Sequence, residues 1–318
     1  MEHTFVNGAN AIGRGVIRHL SKNSSSAKLL DYRVFRPSVY TLQNELKGVE
    51  IKKHQTLNAK SLEYAMEGSE TVIYFTHDYP SMAFDKNAML KATAKSAKIV
   101  GVEKLICVCP IENDFYYTED GKDPLEEKYE AENKAMESNP NLVMLHSNLV
   151  YGEYSYLIRY ITQSILAGSL PSSLSDDSTK YFPVHIEDLS KAISHSIDNF
   201  DDVKGNSFYV KSDEAVTLAN IKKMIEDKAG KQASSSSGLG FSEFINEFFY
   251  GLSHDKNMSL MAKYFKDNSW DFTHDNDYFK VHDITPEHKI SEFLSNQDLK
   301  EENFVYPLYS GYKNTELD

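Results

Sequence analysis

The sequence predicts an α/β protein built on a doubly wound parallel sheet, with a smaller C-terminal domain. Three observations predict it. From the N-terminus to Gly152, apolar runs of strand length alternate with amphipathic helical stretches, and strands separated by helices pair in parallel with right-handed crossovers. A glycine loop, VNGANAIGRG, follows the first of these runs and opens the first helix. Farther on the rhythm changes, and the low-complexity stretch KQASSSSGLG precedes a remainder rich in Phe, Tyr, Asp and Asn, dividing the chain into residues 1–229 and 230–318.

Taken in order, HTFVNGAN reads as a strand ending in glycine, and IGRGVIRHLSK as a helix because Ile12, Val16, Ile17 and Leu20 share one stripe. DYRVFR is the predicted second strand and VEIKKHQ the third. SLEYAME is a helix with Ser61 as its cap and Gly68 as its stop. ETVIYFT and EKLICVC have the length and apolar content of buried strands, and NAMLKATAKSAKIVG is the helix between them. In DPLEEKYEAE, Asp123 caps a helix and Pro124 takes its first position, where a missing N–H costs nothing. NLVMLHSNLVYG is a sixth strand and its exit loop. PVHIEDLSKAISHSIDN then predicts a helix, GNSFYVKS a strand, and TLANIKKMIEDKAG a helix capped by Thr217 with Gly230 just past its end. FSEFINEFFYGL places Phe241, Phe244, Ile245, Phe248, Phe249 and Leu252 on one wide apolar stripe, fit for core or for a protein partner. Its polar face carries Glu243 and Glu247 and no Lys or Arg, which does not suit anionic lipid.

Composition narrows the function. A chain of 318 residues, 41% hydrophobic, buries a substantial core. Its net charge of -13 and lack of a basic run argue against nucleic acid as a partner, since phosphate binding needs clustered Lys and Arg. Cys107 and Cys109 lie two apart in an apolar run, face the same way on a strand and form no disulfide framework, which fits a reducing compartment. No apolar stretch reaches the ~18 residues of a spanning helix, and MEHTFVNG reads as neither a signal nor a transit peptide. The eleven histidines show no ligand-like spacing, so no metal is expected.

The loop VNGANAIGRG occupies the position at which a doubly wound sheet binds a dinucleotide, after strand one and at the start of helix one, where backbone N–H groups and the helix dipole face a pyrophosphate. Gly8 supplies the tight turn and Gly13 the close helix approach. The middle glycine is missing, with Ala11 nearest to it, and the loop is one residue short of the common form. Arg36, in VFRP, stands where an acidic residue would take a ribose hydroxyl and an arginine favours a 2′-phosphate, so NADP(H) is expected ahead of NAD.

These segments, with VEIKKHQTLNAKSLEYAMEGSETVIYF, KYEAE, SNLVYG and PVHIEDLSKAI, resemble the extended and atypical short-chain dehydrogenases/reductases, a Rossmann-fold family that includes sugar epimerases and NmrA-like proteins. The resemblance implies a nucleotide cradle of Gly8, Asn10, Ala11, Ile12, Gly13, Arg36, Phe75, Thr76, Lys128 and Asn148. In that family a Tyr-x-x-x-Lys pair and a Ser or Thr carry the chemistry. KYEAE assigns the lysine to Lys128, and four residues back stands Pro124. Cys109 and Pro110 replace the hydroxyl residues, His146 and Ser147 replace the usual Arg-Pro, and Gln55 replaces an aspartate near the adenine. Pairing Tyr129 with Asn133 leaves no lysine at the right step, as Lys134 is five residues away. General acid/base catalysis contributes about 10² to 10⁴ in rate, so the resemblance implies a site kept for binding, with no catalytic residues.

A narrower resemblance, on VFRP, FPVHIEDLSKAISHSIDNFDDVKGNSFYV and VHDITPEHKISEFL, is to the dehydrogenase-like accessory subunits of respiratory complex I. It implies tightly held NADPH, the matrix side of the mitochondrial inner membrane, and the other subunits of a large membrane-associated respiratory assembly as partners. The alternatives are an active NADP(H)-dependent reductase or epimerase whose proton donor is Tyr129, Cys109 or His77, and a cytoplasmic NmrA-like redox sensor.

Overall fold

In chain order the strands are β1 (Glu2–Val6), β2 (Ser26–Asp31), β3 (Val49–Lys53), β4 (Thr71–Phe75), β5 (Lys104–Pro110), β6 (Leu142–Ser147), β7 (Val150–Tyr151), β8 (Ser169–Pro171), β9 (Val184–His185), β10 (Ser207–Val210) and β11 (Ser234–Ser236). Seven of them form one sheet in the order β10-β6-β5-β4-β1-β2-β3, with every pair parallel. This computed structural model describes residues 2–9, 11–23, 26–31, 43–53, 58–76, 86–110, 124–147, 149–152, 156–171, 177, 180–236 and 276–297. The predicted Asp123 cap and the 241–252 stripe lie outside them.

Helices cover both faces, which is why the strands read as continuous apolar runs. Successive side chains alternate between faces: in β1, Phe5 joins one core and Val6 the other. The first core is closed by the Ala11–Leu20 and Ile186–Asp198 helices, and Ile12, Val16, Ile17 and Leu20 are all buried there, as their spacing predicts. The second is closed by the Ala59–Met66, Lys86–Ile99 and Pro124–Ser138 helices. A third cluster joins the Tyr156–Leu166 and Leu218–Ala229 helices. Among the described residues no helix is long and apolar enough to cross a membrane.

Three local expectations are corrected. The second strand runs over SAKLLD, where Ala27, Leu29 and Leu30 provide the buried side chains in register with β1 and β3; of the predicted DYRVFR only Asp31 is described and lies in it, and residues 32–36 lie outside the described residues. The cap of the Ala59–Met66 helix is Asn58; Ser61 is the third helical residue and completes a reciprocal capping box with it. Within KQASSSSGLG, Ser234–Ser236 form β11 and pair with β8. The Leu218–Ala229 helix has the predicted Thr217 cap and a left-handed Gly230 stop.

Residues 276–297 return to the sheet. Tyr278 and Phe279 enter the first core, and Ser196 Oγ donates to Tyr278 Oη at 2.7 Å. Tyr209 N donates to Asn276 O at 2.9 Å, and Tyr209 bridges to Asp277. Ile290 and Leu294 join the third cluster. Between them, Asp188 accepts from the backbone N–H groups of Glu287 and His288 and from His288 Nδ1, each at 3.1 Å.

His185 precedes this carboxylate as the helix cap, its Nδ1 accepting from Glu187 N at 3.3 Å, and stacks on His288 at 4.1 Å. Burial, then the neighbouring His288, pushes the His185 imidazole down to about 4. Between about 4 and the unfolded value near 6.5 the unfolded chain therefore binds more protons than the folded one, so stability falls as pH drops through that window. His185→Gln keeps an acceptor and is expected to reduce the slope by this group's share, leaving that of the other lowered histidines such as His146; denaturant midpoints of both proteins from pH 4 to 7 check it, and parallel curves refute it.

Candidate functional site

The carboxyl ends of β1 and β4 meet where the strand order reverses, the position at which open α/β sheets bind ligands. Asn7 ends β1 in the left-handed region (φ 61), its side chain donating to Phe75 O at 2.8 Å while its N–H donates to Leu30 O at 2.8 Å. Three strands are thus tied under the loop. A Cβ on Gly13 would lie 2.4 Å from Gly8 O and 2.6 Å from Gly8 Cα, so the ten-residue Ala11–Leu20 helix starts in backbone contact with the strand exit. A Cβ on Gly8 would meet Ile17 at 2.8 Å. This backbone-on-backbone approach brings the N–H groups of the helix's first turn to the sheet's upper edge, the arrangement a pyrophosphate needs.

Of the predicted cradle, Gly8, Gly13, Phe75 and Thr76 come together here, with Thr76 N donating to Val108 O at 3.0 Å. Phe75 is wholly buried, and Ile12 also turns its side chain into the core. Ala11 begins the helix. Asn10, Arg36 and Asn148 lie outside the described residues, as do Gln55 and His77.

Lys128 lies in a buried polar cluster over β5 and β6. Pro124 is the first residue of its helix, so the position one turn upstream carries no phenol. The Lys128 ammonium lies 4.0 Å from Glu132 Oε1, and Glu132 Oε2 lies 3.5 Å from His146 Nε2. In the sheet beneath, Cys109 pairs with His146 and His146 with Tyr209, setting the three side chains in a row across β5, β6 and β10. The His146 and Tyr209 rings are 5.5 Å apart. Burial raises the Cys109 thiol far above its usual range; burial, then Lys128, holds His146 well below its own. Both are neutral at pH 7. Tyr209 is raised mainly by burial, with a contribution from a hydrogen bond to Tyr129, while Lys128 pulls it back. Tyr129 is 44% exposed, so the two phenols run from the cluster to the surface.

The sequence singles out Lys128 and gives no sign of Tyr209 beside it. A family motif marks the lysine, but a tyrosine on the last strand of the sheet carries no local signal; only the β6–β10 register brings it near.

Sheet order and glycine packing define a Rossmann-like α/β fold. Solved structures share it at low identity. A Citrobacter sp. triphenylmethane reductase complexed with NADP(H) matches at 15% identity and TM-score 0.66, covering 92% of this chain and 99% of that one. The Thermus thermophilus UDP-glucose 4-epimerase complexed with NAD matches at 16% identity and TM-score 0.62, covering 96% and 99%. A Bacillus cereus UDP-glucuronic acid 4-epimerase complexed with UDP-glucuronic acid and NAD matches at 13% and 0.58, covering 84% and 99%. No family model matches the sequence. No curated protein matches it significantly either.

Proposed function

We propose that the chain is an NADP(H)-binding oxidoreductase of the reductase or epimerase type. The observation that carries this reading is the Gly13–Gly8 backbone contact at the β1/β4 switch point, which presents a helix N-terminus to a pyrophosphate. Gly8, Ala9, Ile12 and Gly13 hold the dinucleotide through backbone groups, and Arg36 favours the 2′-phosphate. The bound nicotinamide supplies hydride chemistry. The chain supplies the proton: Tyr209, protonated at neutral pH and within electrostatic reach of Lys128, donates through its hydrogen bond with Tyr129. The shared fold with NAD- and NADP(H)-bound reductases and epimerases supports the class.

Pro124 at the head of the Lys128 helix favours a second reading: a subunit of respiratory complex I, on the matrix side of the mitochondrial inner membrane, that holds NADPH without turning it over. Fluorescence titration with NADPH and NADH, followed by NADPH oxidation over a panel of carbonyl and nucleotide-sugar substrates, separates the two. The first expects tighter binding of NADPH than NADH, and turnover that Tyr209→Phe lowers by about 10². Stoichiometric NADPH with no turnover establishes the second. Absence of dinucleotide binding defeats both.

A further inference from the structure

We propose that Cys109, Glu132 and His146, with Cys107 as fourth donor, form a structural zinc site buried between the sheet and the Pro124–Ser138 helix. It adjoins Lys128 and the proposed proton donor Tyr209 but uses none of the glycine-loop groups. The sequence predicts no metal because the donors do not cluster along the chain; they come from β5, β6 and a helix, and meet only in the fold.

The geometry is that of a contracted donor set. The ligand atoms of Cys109, Glu132 and His146 all lie within 4.8 Å of one another, and all three residues are buried. Cys107, wholly buried on the same strand face, places its Sγ 3.5 Å from Cys109 Sγ; it stands outside the set of three and completes the site by turning its side chain toward Glu132 and His146. The His146 Nε2 to Glu132 Oε2 separation is also 3.5 Å. Tetrahedral zinc, with Zn–S of about 2.3 Å and Zn–N or Zn–O of about 2.0–2.2 Å, holds neighbouring donors roughly 3.3–3.8 Å apart. A direct N–H···O bond centres instead on about 2.9–3.0 Å. The His146–Glu132 edge therefore matches a coordination polyhedron better than a hydrogen bond, while the Sγ–Sγ separation fits either a shared metal or a thiol–thiol hydrogen bond.

Chemistry and charge agree with this. Two thiolates, an imidazole and a carboxylate suit zinc, whose filled shell accepts a mixed S, N and O set without redox change. Zn²⁺ with two thiolates and the Glu132 carboxylate carries one net negative charge. The Lys128 ammonium, 4.0 Å from Glu132, brings the sum to zero, and a buried ion must be compensated. The two thiol protons pass to solvent as the metal enters. Since the donors are buried, loading belongs to folding. The consequence is a covalent-strength pin between the Pro124–Ser138 helix and strands β5 and β6.

The test uses the full chain, expressed in zinc-supplemented medium, with metal measured by mass spectrometry. About one zinc per chain is expected, falling about tenfold in Cys109→Ser and in His146→Gln. Because either variant can misfold, the unaltered chain is also refolded with Co²⁺, which in a tetrahedral thiolate site gives intense visible bands and a sulfur-to-cobalt charge-transfer band. Cys107→Ser should lower the latter by about half. Folded protein without zinc and without cobalt–thiolate bands overturns the site, as does a zinc content that both variants leave unchanged.

Discussion

Gly13→Ala is expected to destabilise the fold by about 3 kcal/mol, the upper end of overpacking costs, and to weaken dinucleotide binding at least about tenfold. The added Cβ meets the carbonyl oxygen, Cα and carbonyl carbon of Gly8 at 2.4, 2.6 and 2.7 Å. None of these is a flexible side-chain end that can swing aside. The helix must lift from the strand, and its N–H groups then move from where a pyrophosphate sits. Gly48→Ala is the control: its φ is +85 but a Cβ there meets nothing within 4 Å, so only backbone strain of about 1 kcal/mol is expected, with binding unchanged. Urea denaturation and NADPH titration of both variants check the contrast. Equal behaviour would show that the loop is a turn and no more.

Asp188→Ala is expected to cost about 3–5 kcal/mol, as breaking a buried charged network does. The carboxylate is 1% exposed and accepts from Glu287 N, His288 N and His288 Nδ1, with Lys191 Nζ at 3.9 Å. Removing it strands two backbone N–H groups and an imidazole, each of which loses its acceptor. Asp188→Asn keeps the volume and one acceptor oxygen and should cost less than half as much. Amide exchange at Glu287 and His288 should quicken in the Ala variant before the core strands respond. If those amides exchange as slowly as in the parent, the carboxylate is not what holds the segment.

The sheet was legible because parallel strands buried on both faces leave long apolar runs such as TVIYF and KLICVCP. The start of β2 was not, since SAKLLD is no more apolar or β-rich than the DYRVFR that follows it, and only its pairing with β1 on one side and β3 on the other reveals it as strand. The glycine loop could be read in part: Gly13's close approach is a local requirement, a backbone without Cβ where helix and strand touch, but the left-handed turn expected of Gly8 falls on Asn7, which reaches it through its side-chain bond to β4. Lys128 could be placed but its surroundings could not. Glu132 is one turn along the same helix, yet Cys109, His146 and Tyr209 reach it through strand register across three strands. The return of residues 276–297 was equally hidden, as VHDITPEHKISEFL carries few apolar residues and its firmest tie is to a carboxylate about a hundred positions earlier.

That return bears on synthesis. Until the ribosome has released Asn276 and Asp277, the outer side of β10 offers its hydrogen-bonding groups to any other extended chain, and the Tyr209 bridge that screens it is still missing. A chain stopped short of residue 276 is therefore expected to self-associate along β10 more readily than the full-length one.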